Sequence, residues 1–190
     1  MESTNFQMIM LPVTFIFFLV ALIWDLKFHK IPNKLCIVIL FTGLGLQLFY
    51  HGIWNGLLNF TIGLTVAFSC LFPLFLIKAL GGGDVKLMMA LGTMFGAELT
   101  LWSIVLGIIC GIFTSIFLTI RQVGIKGILS TFHRYYQILF CHTYFKPEDG
   151  EAAALRVPYA PALALGWLWA CYLNDDVMMT ISNLRYALSI

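Results

Sequence analysis

Long apolar stretches separated by short polar ones run through the chain from end to end. The first covers about Phe6 to Trp24, followed by Leu35 to Phe49, Gly56 to Ile77, Leu87 to Phe95, Leu101 to Ile120 and Pro158 to Tyr172. A helix of about 20 apolar residues crosses the hydrocarbon core of a bilayer. The pattern therefore predicts an all-α polytopic membrane protein with about six transmembrane helices, in a single domain over residues 1–190.

The polar breaks carry turn chemistry. Asp25 to Lys34 forms a short basic loop, and Tyr50 to Asn55 an uncharged turn containing Gly52 and Trp54. Pro73 is expected to kink the third span. The fourth span is the shortest, ending at Gly96-Ala97-Glu98. A short helix at membrane depth is tolerated where it is packed in protein or lines a wet cavity. A long loop follows, from Arg121 to Val157. Within it Ile125, Ile128, Leu129, Phe132, Tyr136 and Leu139 recur at helical spacing, with Lys126, Ser130, His133, Arg134 and Gln137 on the other face. That spacing predicts a cytoplasmic amphipathic helix in the membrane interface. The tail from Asn174 to Ile190 reads as a short interfacial helix.

Composition supports this picture. The chain is 61% hydrophobic and 11% charged, against about 25% charged for a soluble domain, which leaves no room for a separate soluble domain. A net charge of +2 gives no bulk attraction to nucleic acid. With six spans, Lys27, Lys30, Lys34, Lys78, Lys86, Arg121, Lys126, Arg134, Lys146 and Arg156 fall on one side of the membrane and only Arg185 on the other. The basic side is expected to be cytoplasmic, with both termini outside. Asp25 and Asp84 then share the cytoplasmic face. Cys36, Cys70, Cys110, Cys141 and Cys171 are widely spaced with no CxxC, and read as small buried hydrophobes. No metal site and no cofactor are expected. No Lys or Arg precedes Lys27, so the first stretch reads as an uncleaved span.

Asp84 lies in Gly81-Gly82-Gly83-Asp84-Val85-Lys86, flanked by apolar residues. An ionisable residue at membrane depth is costly and points to function. Two carboxylates held close share a proton, so one serves as base and the other as acid. The base activates a water for attack on a peptide carbonyl, and the acid assists departure of the amine. The glycines before Asp84 would allow close backbone approach. Each residue also has a plainer role open to it. Asp25 fits a helix end at the interface, Asp84 an N-cap of the fourth helix, Lys86 a marker of the cytoplasmic edge, and Pro32 and Pro158 helix boundaries.

Three segments together resemble the type IV prepilin peptidase family, membrane aspartyl proteases of the GxGD type. They are Asp25 with Ile31-Pro32-Asn33 downstream, Gly81-Gly82-Gly83-Asp84-Val85-Lys86-Leu87, and Arg156-Val157-Pro158-Tyr159-Ala160-Pro161-Ala162. The resemblance implies a peptidase that removes the basic leader from prepilins or pseudopilins, just before their hydrophobic helix. It would work at the cytoplasmic face of the bacterial inner membrane. Asp25 and Asp84 would be the catalytic pair. Gly81, Gly82, Gly83, Lys86, Asn33, Arg156, Pro158 and Tyr159 would bind substrate or support the site. The larger members carry paired CxxC motifs associated with zinc and N-methylation. This chain has none, and its compact layout is similar to the peptidases of tight-adherence (Flp) pili, so cleavage without methyl transfer is expected. The bilayer and the prepilin are the expected partners. An ion-coupled transporter using the two acids and a non-enzymatic pilus-assembly subunit are the alternatives.

Overall fold

The computed structural model describes residues 2–28, 30–76, 80–141 and 159–188. They form five helices: α1 (Glu2–Phe28), α2 (Asn33–Leu76), α3 (Gly82–Cys141), α4 (Ala160–Leu173) and α5 (Asp175–Leu188). No strand occurs among the described residues. Among the described residues, three helical stretches are long and apolar enough to cross a membrane: Phe6–Phe28, Asn33–Leu76 and Gly82–Leu118.

The 44 residues of α2 would reach about 66 Å if straight, against a hydrocarbon core of about 30 Å. Gly52 resolves the excess. Its φ of 74° and ψ of 178° are non-helical and open to glycine. The chain doubles back there, because a Cβ placed on Gly56 would lie 2.5 Å from the carbonyl oxygen of Gln47. Both arms then pack on α3, with Gly43 of the first arm against Thr93 and Gly63 of the second against the Gly92 backbone. Phe49, Ile53 and Trp54 are exposed around the turn, and Trp is a residue enriched at membrane interfaces.

α3 turns in the same way at Gly96, where φ is 76°. The Thr100 hydroxyl donates to the carbonyls of Gly96, at 2.5 Å, and Gly92, at 3.3 Å. In a straight helix Thr100 would stand about 12 Å from Gly92. The break deprives carbonyls of their helical donors, which is expensive in hydrocarbon. Gln47, 1% exposed, restores two bonds, since its Nε2 donates to the carbonyls of Thr93 (3.2 Å) and Met94 (3.3 Å). The stretch before the break is the centre of the molecule. Leu87, Met88, Leu91 and Met94 are fully buried among Ile39 and Leu71 of α2, Phe18 and Ala21 of α1, and Leu163 of α4. This short segment is therefore packed in protein, as its length requires.

α4 has 14 residues, about 21 Å, and falls short of a full crossing by length alone. Its Gly166 lies against the backbone of Gly107 and Ser103 in α3. Asn174 ends α4 by donating to the Ala170 carbonyl at 3.1 Å, and its own Oδ1 accepts from the Val177 N–H at 3.1 Å to start α5. Asp175 and Asp176 in the first turn complement the helix dipole. α5 packs along α1, with the Thr180 hydroxyl donating to Gln7 Oε1 at 2.7 Å.

The helix expected in the tail from Asn174 is present as α5, packed on α1. From Arg121, where a loop was expected to precede the amphipathic helix, α3 continues without a break through Cys141. A backbone chain can stay helical past the apolar stretch, and Gly124, with φ of 70°, punctuates α3 just before the amphipathic spacing begins. Residues Gly111–Val157 form a compact unit separate from the one built by Met1–Cys110 and Pro158–Ile190.

Candidate active site

Asp25 occupies the last turns of α1 and is 6% exposed. Its Oδ2 accepts the backbone N–H of Ala160 at 3.4 Å. Ala160 is the first residue of α4, after Tyr159 at the N-cap and before Pro161. First-turn amides have no partner within their own helix, and the positive end of the dipole favours a carboxylate. Tyr159 is half-buried against the core, and its carbonyl accepts the Leu163 N–H at 3.1 Å.

Asp84 sits in the first turn of α3. The Gly81 carbonyl accepts from the N–H groups of Asp84 (3.1 Å) and Val85 (3.3 Å), which makes Gly81 the cap and moves Asp84 three positions into the helix. The N-cap role considered for Asp84 thus belongs to Gly81. Gly81 and Gly82 have a local steric reason, whereas a side chain at Gly83 would meet only ordinary contact. A Cβ on Gly81 would lie 2.9 Å from Asp84 Oδ2, one on Gly82 3.2 Å from the Phe75 ring, and one on Gly83 3.5 Å from Cβ of Ile31. The first gives the carboxyl room to fold back over the chain. The second lets the turn settle on Phe75 of α2, and Gly83 lies in ordinary contact with Ile31 in the loop between α1 and α2.

Lys86 fastens that loop. Its Nζ donates to Asn33 Oδ1 at 3.3 Å. Asn33, Ile31, Gly83, Asp84 and Lys86 are therefore one assembly, and Asp25 lies at the same end of the bundle, because α1 ends at Phe28 and Ile31 packs against Gly83. Arg156 and Pro158 lie outside the described residues. Among the described residues no group of three His, Cys, Asp or Glu side chains is placed to hold a metal ion.

Two participants escaped sequence reasoning. The Ala160 N–H is a backbone donor, and the only signal for it was the proline-rich segment that surrounds it. Ile31 was noted for its motif and not as the wall against Gly83.

The arrangement brings two carboxyls from distant parts of the chain to one end of a helical bundle, beside a glycine turn and a helix N-terminus. A family model described as the type IV leader peptidase family matches residues 12–116, a stretch that contains Asp25, Asn33, Gly81 to Asp84 and Lys86. No curated protein matches the chain, and no solved structure does.

Proposed function

The chain belongs to the type IV leader peptidase family, and from that premise we propose that Asp25 and Asp84 are the catalytic pair of a membrane aspartyl endopeptidase. What supports the reading is that Asp25 and Asp84 lie at the same end of the bundle, Asp25 accepting the first amide of α4 and Asp84 beside the loop that brings Ile31 against Gly83 and Asn33 to Lys86.

The proposed substrate is a type IV prepilin, of Flp type, or a pseudopilin, cut between its basic leader and its apolar helix. A water between the carboxyls loses a proton to the ionised one as its oxygen attacks the scissile carbonyl carbon. The protonated partner donates to the carbonyl oxygen. Collapse of the tetrahedral intermediate breaks the C–N bond, and the amine leaves with a proton returned by the pair. The Ala160 N–H orients one carboxylate, and the missing side chain at Gly81 leaves room for the carboxyl of Asp84.

The reading includes a topology. Six helical segments span the inner membrane: α1, the two arms of α2, the two arms of α3 about Gly96, and α4. The excess of Lys and Arg on one side supports a cytoplasmic position for the site, with residues 125–139 at the interface. Leader loss from a co-expressed prepilin, read as a shift on a gel, tests the activity. An unshifted prepilin with correctly inserted enzyme contradicts it.

A further inference from the structure

α2, α4 and α5 all pack on α1, and the side shared with α4 retains a trough of about 270 Å³. Its walls are Phe15, Leu19 and Leu22 on α1 and Pro161, Leu165 and Leu168 on α4, over a floor that includes Phe18 and Trp167. The floor is closed by those two rings, 5.3 Å apart between centroids. Each wall repeats at intervals of four and then three residues, the spacing of a single helix face. The trough is therefore straight and about two turns, or roughly 10 Å, long. Its exposed lining is entirely apolar.

Its position matters more than its size. Leu22 stands one turn from Asp25 on the same face of α1. Pro161 follows Ala160, whose N–H reaches the Asp25 carboxylate. One end of the trough thus abuts the candidate active site, and the other runs toward the middle of the apolar stretch of α1. Phe15, Leu19, Leu165 and Leu168 are each 40–50% exposed, so the walls are open to an occupant.

We propose that this trough docks the apolar helix of the substrate, on the side of the scissile bond that remains in the membrane. The inference rests on the peptidase reading of Asp25 and Asp84. A segment leaving Asp25 along these walls is surrounded by hydrocarbon and must satisfy its backbone internally, so it is helical. The scissile bond must be extended to be attacked. The feature recognised is then the junction between an extended polar segment and an apolar helix, with one ridge of that helix laid in the trough. Leu19 and Leu165 become determinants of specificity.

Photo-crosslinking tests this directly. The full-length Asp84→Asn variant, carrying p-benzoylphenylalanine in place of Leu19, Leu165 or Phe68, is reconstituted in liposomes with a synthetic precursor. The precursor has a basic leader followed by an apolar helix of about 20 residues. Phe68, exposed on α2, is the control. Adducts to the apolar helix from positions 19 and 165, about tenfold above position 68, are expected. Equal adducts at all three positions, or only lipid adducts at 19 and 165, overturn the proposal. In parallel Leu165→Trp, which fills the trough, should raise KM for the precursor about tenfold with kcat little changed. An unchanged KM overturns the specificity role. Wild-type cleavage of the same precursor separates the two ideas. Cleavage without trough adducts removes the docking site alone, and absence of cleavage removes the peptidase reading with it.

Discussion

The backbone N–H of Ala160 reaches the carboxylate of Asp25 across 135 residues of chain, tying the end of α1 to the start of α4. Asp25→Asn keeps an oxygen at that place, so α4 should stay docked. Thermal unfolding of the variant in detergent is expected within a few degrees of wild type. A large loss of stability would show that Asp25 holds the fold and would complicate any catalytic interpretation.

Lys86 and Asn33 should behave as a coupled pair. Lys86→Ala and Asn33→Ala each release the 31–33 loop from the first turn of α3. Lys86 is exposed, so the coupling in a double-mutant cycle is expected to be about 0.5–1 kcal/mol. Each single variant should lower leader cleavage severalfold, and the double variant little further. Full additivity of the two losses would place Lys86 and Asn33 in separate roles.

Glycine contacts between helices make a sharper structural prediction. A Cβ on Gly63 would collide with the Gly92 backbone, and one on Gly166 with that of Gly107. Gly63→Ala and Gly166→Ala should each destabilise by about 1–3 kcal/mol, the usual range for overpacking. Gly45→Ala, where nothing lies within 4 Å, should be neutral or stabilising. Retention of folded protein in a detergent melt measures all three. Equal effects at positions 45 and 63 would contradict the close approach.

Gln47→Leu should also destabilise. It removes both donors from the carbonyls freed near Gly96, at a cost of about 0.6–2 kcal/mol for polar contacts within a membrane bundle. Cleavage by the surviving folded fraction should remain close to normal, because Gln47 lies at the far end of this segment from Asp84. Loss of activity without loss of stability would oppose this placement.

Much of this architecture was legible in the sequence, for physical reasons. Hydrophobic runs declare membrane helices because the bilayer tolerates little else. The expected turns at Gly52 and Gly96 are where the chain reverses, since both positions have positive φ. Asp84 stood out because a carboxyl among glycines and apolar residues needs a reason. Other features were silent. The Ala160 N–H and the carbonyls braced by Gln47 are backbone groups that every residue carries. The helical spacing from Ile125 to Leu139 was legible, but its continuity with the preceding span was not, because polar residues interrupt the apolar run although helical hydrogen bonding does not depend on burial. α5 was legible as a short helix, but its docking on α1 was not, because its partner, Gln7, lies at the opposite end of the chain.

The orientation is open to a direct test. In a cysteine-free background, Trp54→Cys, 88% exposed at the α2 turn, should react with a membrane-impermeant maleimide from outside intact cells. Lys30→Cys should react only after the cells are opened. The reverse pattern would place the aspartates on the external face.

The central claim is tested most directly by prepilin cleavage with purified Asp25→Asn and Asp84→Asn proteins in liposomes, normalised to folded enzyme. Each single variant is expected to lose leader cleavage completely, and the double variant to be no worse, because groups acting as one unit are strongly non-additive. Glu98→Gln, at the Gly96 turn, should cleave nearly as well as wild type. Appreciable turnover by either single asparagine variant would contradict the paired-aspartate mechanism. Proton-coupled transport by a wild-type protein that cuts no peptide would replace it with the transporter reading.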